Sequence, residues 1–228
     1  MTGTRLAVLL IFALFIGING ADAHEYLPTR ANFLKKLAPQ IKKSGTEGII
    51  LIGDSITDGL WLPEIKGMQV FNAGIGSNNL DGALKYGVEL AKASGAKVAV
   101  VCIGVNDASR RHQDFSVSEW AGRYERLLSE LAGAGIRVYA STILPVESGK
   151  GLGDAYFDPE RIRQMNDAIR EITERRSISL IDSNAAFAAP DGSMPKDMTV
   201  DGVHLSLPAY DKWRALLIET VEPGSPAD

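Results

Sequence analysis

Short apolar runs alternate with longer segments of helical periodicity along most of the chain. The runs are rich in β-branched and aliphatic residues and do not alternate strictly with polar positions, which is typical of parallel strands buried on both faces. They predict five strands, at 48–52, 69–72, 97–103, 137–142 and 178–181.

The segments between the runs predict helices, at 31–43, 79–94, 118–134, 159–175 and 207–221. The clearest is 118–134, whose apolar residues recur at helical spacing and whose end is marked by Gly133 and Gly135. This apolar stripe, expected to face the core, consists of Trp120, Tyr124, Leu127, Leu128 and Leu131. Strands alternating with helices predict an α/β domain of about five parallel strands with helices on both faces.

Residues 1–23 have the features of a signal peptide: a positive charge at Arg5, an apolar run at 6–18 and the small-x-small site Ala21-Asp22-Ala23. An uncleaved membrane anchor is the alternative, but the run is shorter than the roughly 20 residues that span a bilayer. We therefore expect cleavage before His24, a single domain at 24–228, and an exported protein, periplasmic or secreted, without stable membrane insertion.

Composition narrows the class of protein. The 228 residues are 45% hydrophobic and 23% charged, as in one globular domain. Removing residues 1–23 leaves 23 basic and 27 acidic residues, so the net charge stays at −4, which argues against nucleic-acid binding. Cys102 is the only cysteine, so no intramolecular disulfide forms, and its apolar surroundings indicate a core position.

The chemistry is expected where strands end, because loops at the carboxyl edge of a parallel sheet converge on one crevice. Ser55 follows the first strand in the turn 53–59, at the start of a helix whose amides could stabilise an oxyanion. The alternative is that Ser55 caps this helix, with Asp58 three residues on.

Two neighbouring loops, 72–77 and 104–107, bring glycines and an asparagine to the same edge, as an oxyanion hole requires. Each loop taken alone is also compatible with ordinary turn chemistry. We expect Asp54 and Asp107 to fix loop geometry rather than to transfer protons.

A serine nucleophile needs a base, and the chain has three histidines. His24 lies at the expected mature terminus and His112 in a polar loop, which leaves His204 as the candidate. Asp201 lies three residues earlier, where it could hold the histidine tautomer and stabilise the imidazolium. The alternative is a surface histidine beside a turn aspartate.

These segments resemble the ordered blocks of the GDSL, or SGNH, hydrolase family: Gly-Asp-Ser-Ile, a glycine block, Gly-x-Asn-Asp and Asp-x-x-His, over residues 49–213 or so. The resemblance implies a flavodoxin-like three-layer α/β/α sandwich with sheet order 2-1-3-4-5. It also implies Ser55 as nucleophile and first oxyanion amide, Gly74 as second amide, Asn106 as side-chain donor, and Asp201 with His204 as base pair. One departure is Ser77, where many relatives have their second glycine.

The sequence therefore predicts an ester hydrolase working through an acyl-enzyme on Ser55, with a short-acyl ester or an O-acetylated saccharide as substrate. No residue cluster has the spacing of a metal site, and we expect no metal or organic cofactor. Trp61 and the pair Tyr156-Phe157 could wall an acyl pocket or stack on a sugar, or simply pack in the core.

Several alternatives stay open at this point. A lysophospholipase or thioesterase acting on lipids, and an O-acyltransferase, would use the same residues. A carbohydrate-binding module on the same fold would not need all five site residues. A phosphate or nucleotide binder would carry Gly-Lys-[Ser/Thr] or Gly-x-Gly-x-x-Gly, which the sequence lacks. The oligomeric state cannot be read from the sequence.

Overall fold

The computed structural model describes residues 20–42, 48–111 and 115–222. They form a six-stranded sheet in the order β2-β3-β1-β4-β5-β6. The strands are β1 (Gly48–Gly53), β2 (Glu64–Ile65), β3 (Met68–Gly74), β4 (Val98–Cys102), β5 (Arg137–Ser141) and β6 (Ser179–Ile181). All pairings are parallel except that of β2 with β3.

The helices are α1 (Gly20–Lys42), α2 (Ser55–Asp58), α3 (Leu80–Gly82), α4 (Val88–Ser94), α5 (Val117–Gly133), α6 (Gly153–Tyr156), α7 (Pro159–Arg176), α8 (Ser183–Phe187) and α9 (Leu207–Thr220). A π-helical turn, Ala83–Gly87, joins α3 to α4. Helices α1, α4, α5 and α7 pack side by side, and α9 packs near α2 and β6. The result is a three-layer α/β/α sandwich, as the family resemblance implied.

Buried strands make up the centre of the molecule. Every residue of β1 is buried, since both faces of the sheet are covered by helices. The predicted stripe on α5 is also buried, with Trp120 and Tyr124 stacked at 4.9 Å between ring centroids. Burial raises the pKa of Cys102 to about 12, so its thiol stays protonated.

The five parallel strands follow the implied 2-1-3-4-5 order, and all five predicted helices are present. The sequence pattern does not predict β2, which turns into β3 through Lys66 and Gly67, both with positive φ. Nor does it predict the short helices α6 and α8. No described helix has the length and apolar character needed to cross a membrane. Residues 1–19 of the predicted signal peptide lie outside the described residues, so its cleavage stays a prediction.

Candidate active site

Ser55 is the first residue of α2, directly beyond the carboxyl end of β1. The connection is tight: a Cβ at Gly53 would collide with the side chain of Thr57 and the carbonyl of Cys102. The helix is capped by Asp54, whose carboxylate accepts from the Ile56 amide at 2.9 Å. Asp54 therefore performs the capping role considered for Ser55, and the Ser55 hydroxyl bonds elsewhere.

Three side chains form a hydrogen-bonded chain, called here the triad. His204 Nε2 lies 2.9 Å from Ser55 Oγ, and His204 Nδ1 lies 2.7 Å from Asp201 Oδ2. Asp201 and His204 both lie in the loop before α9, which is 146 or more residues from Ser55 along the chain. Asp201 Oδ1 also accepts from the amides of Val203 and His204, at 3.1 and 2.9 Å, so the carboxylate is held from two sides.

The charge of Asp201 sets the direction of these hydrogen bonds. Burial acts to raise its pKa, but the hydrogen bond and charge of His204, with the two backbone amides, outweigh burial and lower the pKa. An ionised carboxylate only accepts, so Nδ1 carries the imidazole proton and Nε2 presents its lone pair to the Ser55 hydroxyl. This is the arrangement that a serine needs to lose its proton to a base.

Asn106 lies in the loop after β4 and reaches the loop after β3. Its Nδ2 donates to the Asn78 carbonyl at 2.7 Å, and Asn78 Nδ2 in turn donates to the Gly53 carbonyl at 3.0 Å. These bonds tie three strand ends together beside Ser55. This bond uses one hydrogen of Asn106 Nδ2, and the other has no acceptor among the described residues.

The structure does not bring Gly74 to the site as a free donor, which corrects its assignment as the second oxyanion amide. Its amide donates to Asn72 Oδ1 at 2.9 Å. A Cβ at Gly74 would collide with the backbone of Asp58, so the glycine serves the close packing of β3 against α2.

Ser77, expected from the sequence only to depart from the family's second glycine, lies in the same loop. It is exposed, has φ of 59°, and within the described part of the chain its amide donates no hydrogen bond. The same holds for the Ser55 amide at the start of α2. The signal for Ser77 was the family glycine at this position, because glycine adopts positive φ without strain.

Two buried carboxylates lie behind the site, at Asp54 and Asp107. Burial is the main cause that raises the pKa of Asp54 to about 6 and that of Asp107 to about 7. Asp107 accepts from the Leu80 amide with both oxygens, at 3.1 and 3.2 Å. Both residues thus fix neighbouring loops, the role expected of them.

Among the remaining candidates, the structure describes the side chains of Trp61, Tyr156 and Phe157. His112 is outside the described residues, and nothing is described of the His24 side chain. Trp61 is 77% exposed, which excludes core packing for it, whereas Phe157 is buried. The Arg111 guanidinium lies over the Tyr156 ring, 4.7 Å from the ring centroid. Among the described residues, no group of three or more His, Cys, Asp or Glu side chains could hold a metal ion.

The fold is an α/β/α sandwich, and its site joins a serine, a histidine and an aspartate by hydrogen bonds. These features together are typical of a class of hydrolases. The profile of the GDSL-like lipase/acylhydrolase family matches residues 51–212, and the chain belongs to this family. Membership of this family indicates that the protein is a hydrolase that acts on esters. None of the curated proteins searched matches the chain.

Solved structures share the fold. A lipase/acylhydrolase from Enterococcus faecalis is 22% identical with a TM-score of 0.64, covering 76% of this chain and 94% of that one. A GDSL-like lipase from Bacteroides thetaiotaomicron is 19% identical with a TM-score of 0.67, covering 83% and 98%. A catalytic mutant of an acetylxylan esterase from Geobacillus stearothermophilus is 21% identical with a TM-score of 0.62, covering 76% and 93%.

Proposed function

We propose that the protein is a serine esterase that hydrolyses short-acyl esters, with Ser55 as nucleophile, His204 as base and Asp201 as the residue that orients His204. The observation that carries the proposal is the pair of hydrogen bonds linking Ser55 Oγ, His204 and Asp201 at 2.9 and 2.7 Å. Serine hydrolases on unrelated folds share this division of roles.

In the proposed mechanism, Ser55 Oγ attacks the ester carbonyl while its proton moves to His204 Nε2. His204 then protonates the leaving alcohol, which departs and leaves an acyl group on Ser55. Water, activated by the same nitrogen, attacks the acyl-enzyme and releases the acid. Asp201 stabilises the imidazolium in each step.

The oxyanion formed in both steps needs hydrogen-bond donors. We assign this role to the Ser55 amide, the second Nδ2 hydrogen of Asn106, and the Ser77 amide in place of that of Gly74. The two amides have no acceptor among the described residues, and Asn106 is held against the Ser77–Asn78 loop by its bond to the Asn78 carbonyl. Preorganised donors of this kind contribute strongly to acyl-transfer catalysis.

The sequence of the loops at the carboxyl edge of the sheet supports a small acyl group. Residues 76–79, 106–116 and 146–158 are mostly polar or glycine-rich, which does not favour a long apolar acyl groove. The acetylxylan esterase from Geobacillus stearothermophilus shares the fold, and we propose an O-acetylated saccharide as the substrate here.

The lipid alternative has one observation in its favour. Trp61 and Leu207 are large apolar side chains that are 77% and 72% exposed, and exposed apolar side chains can contact a lipid. Acyl transfer to a sugar hydroxyl instead of water would use the same acyl-enzyme.

A panel of p-nitrophenyl esters of increasing chain length, run beside acetate release from acetylated oligosaccharides, separates these functions. We expect kcat/KM to be highest for acetate or propionate and acetate to be released from the saccharide. A preference for chains of about eight carbons or more would instead indicate a lipid substrate, since each buried methylene contributes up to about 0.8 kcal/mol. Adding a sugar acceptor and measuring ester formation tests acyl transfer.

We also propose that the protein is exported and cleaved after Ala23, on the strength of the sequence at residues 1–23. Expression of the full chain in a Gram-negative host and N-terminal sequencing of the periplasmic product tests this. A mature terminus at His24 is expected, and an intact Met1 terminus on membrane-bound protein would contradict it.

A further inference from the structure

The loop that carries the triad's acid and base is bound along its length by a second loop. We call residues 194–204 the acid–base loop and residues 146–152 the bracing loop. The Glu147 amide donates to the Gly202 carbonyl at 2.8 Å, and the Leu152 amide donates to the Asp201 carbonyl at 2.6 Å. The bracing loop therefore reaches Asp201 directly through its backbone.

A buried carboxylate lies at the centre of this contact. Glu147 is 5% exposed, and its carboxylate accepts from Thr199 Oγ1 at 2.5 Å and from the partly exposed Lys150 Nζ at 3.2 Å. Burial opposes ionisation, but Thr199, Lys150 and the Asp197 amide outweigh it and lower the pKa of Glu147. A buried charge with partners on both loops favours one relative placement of the loops.

Thr199 passes this constraint to Asp201. Its hydroxyl donates to Glu147, so its lone pairs are free to accept from the Gly202 amide, at 3.0 Å. The peptide unit between Asp201 and Gly202 is thus held at both ends, its carbonyl by Leu152 and its amide by Thr199. The orientation of this peptide fixes the direction in which the Asp201 side chain leaves the backbone.

We propose that Glu147 is a positioning residue, which acts through Thr199 to hold Asp201 in hydrogen-bond contact with His204. The proposal rests on the proposed esterase function. Without the carboxylate, Thr199 Oγ1 loses its acceptor, and the Asp201–Gly202 peptide gains freedom to rotate. Displacement of a positioned group by about 1 Å is enough to cost roughly 10²-fold in rate.

The test compares Glu147→Leu, which removes the acceptor of Thr199 Oγ1, and Thr199→Val with the wild type. We expect each to lower kcat by about 10- to 100-fold per active serine titrated with a fluorophosphonate, with KM within about twofold. Thr199→Ser keeps the hydroxyl and should retain most of the activity. The matched control is Glu125→Leu, which removes the carboxylate of an ion-paired glutamate on α5, with Arg175 and Arg176 as its partners.

A second readout is independent of turnover. The His204 Nδ1 proton, hydrogen-bonded to Asp201, should give a far-downfield proton NMR signal that is absent from His204→Gln. We expect Glu147→Leu and Thr199→Val to weaken or shift this signal and Glu125→Leu to leave it unchanged. Circular dichroism of each variant confirms folding, and Thr199→Ser provides a folded comparison.

The outcomes separate the two proposals. If Glu147→Leu and Thr199→Val melt at lower temperature but keep wild-type kcat per titrated site and the wild-type signal, Glu147 only stabilises the fold and the positioning role is overturned. If the wild type cleaves no ester while its NMR signal still depends on Glu147, the esterase function fails and the placement of Asp201 by Glu147 stands.

Discussion

The buried carboxylate of Asp107 makes a quantitative prediction about stability and pH. Asp107 is 5% exposed, and both of its carboxylate oxygens accept from the Leu80 amide. Burial, reinforced by the nearby charge of Asp54 and opposed by the Leu80 amide, raises the pKa of Asp107 from 3.8 to about 7. The folded protein therefore keeps a proton on Asp107 at pH values where the unfolded chain has released it.

The sign of the effect follows from proton counting. Between about pH 4 and pH 7 the folded state binds more protons at Asp107 than the unfolded state does, so the free energy of unfolding falls as pH rises. A raised carboxyl pKa thus lowers stability at neutral and alkaline pH. With about 1.4 kcal/mol for each unit of pKa difference, the Asp107 contribution falls by about 2 to 3 kcal/mol between pH 5 and pH 8.

Asp107→Asn removes the ionisation and keeps an oxygen that accepts from Leu80. Urea unfolding of variant and wild type at about pH 5, 6, 7 and 8 gives the difference between their unfolding free energies at each pH. Contributions from titrating groups that do not interact with Asp107 largely cancel in this difference. We expect the variant to gain about 2 to 3 kcal/mol relative to the wild type from pH 5 to pH 8. Asp191→Asn should give a nearly constant difference, because hydrogen bonds from Ser193 lower the pKa of this exposed carboxyl and it stays ionised over this pH range. A constant difference for Asp107→Asn as well would refute the reasoning.

Three further predictions follow from the site and the core. Asn106→Ala should lower kcat by roughly 10²- to 10³-fold with little change in KM, and a change in KM alone would make Asn106 a substrate-binding residue instead. Gly202→Ala should destabilise the protein by more than about 1 kcal/mol in urea unfolding, since Gly202 has φ of 99° and a Cβ would collide with the Lys150 carbonyl; wild-type stability would contradict this. Leu127→Ala, at a fully buried position of α5, should cost about 2 to 5 kcal/mol, and a loss under about 1 kcal/mol would mean that the core refills the space.

The main elements of the fold could be predicted from the sequence because its strands are buried on both faces and its long helices are amphipathic. Such strands leave continuous apolar runs and such helices leave a helical repeat, and both can be recognised without knowledge of distant residues. The two-residue strand β2 leaves no such pattern. It depends on the turn at Lys66 and Gly67 and on an edge of β3 that only the folded sheet provides.

The candidate site could be predicted in part for a related reason. Ser55, Asn106 and the Asp201–His204 pair each follow or precede a recognisable element, so the parallel sheet brings them to one edge. Gly74 was assigned wrongly because its amide is taken by the side chain of Asn72, a local competition that motif spacing does not show.

The contact between Glu147 and the acid–base loop could not be predicted from the sequence. Glu147 and Thr199 are 52 residues apart in the chain, and each looks like an ordinary polar loop residue. Their pairing depends on how two irregular loops pack, and no periodicity encodes that. The exposure of Trp61 could not be predicted either, because it depends on how the irregular loop after α2 packs.

The central claim is that Ser55 forms the acyl-enzyme, and mass spectrometry of the quenched reaction tests it most directly. Wild-type protein mixed briefly with p-nitrophenyl acetate and quenched in acid should gain the mass of one acetyl group, mapped to the peptide that contains Ser55. Ser55→Ala should gain no acetyl group and lose most of its esterase activity. Acetylation at a different residue as the turnover intermediate, or wild-type turnover by Ser55→Ala, would contradict the account.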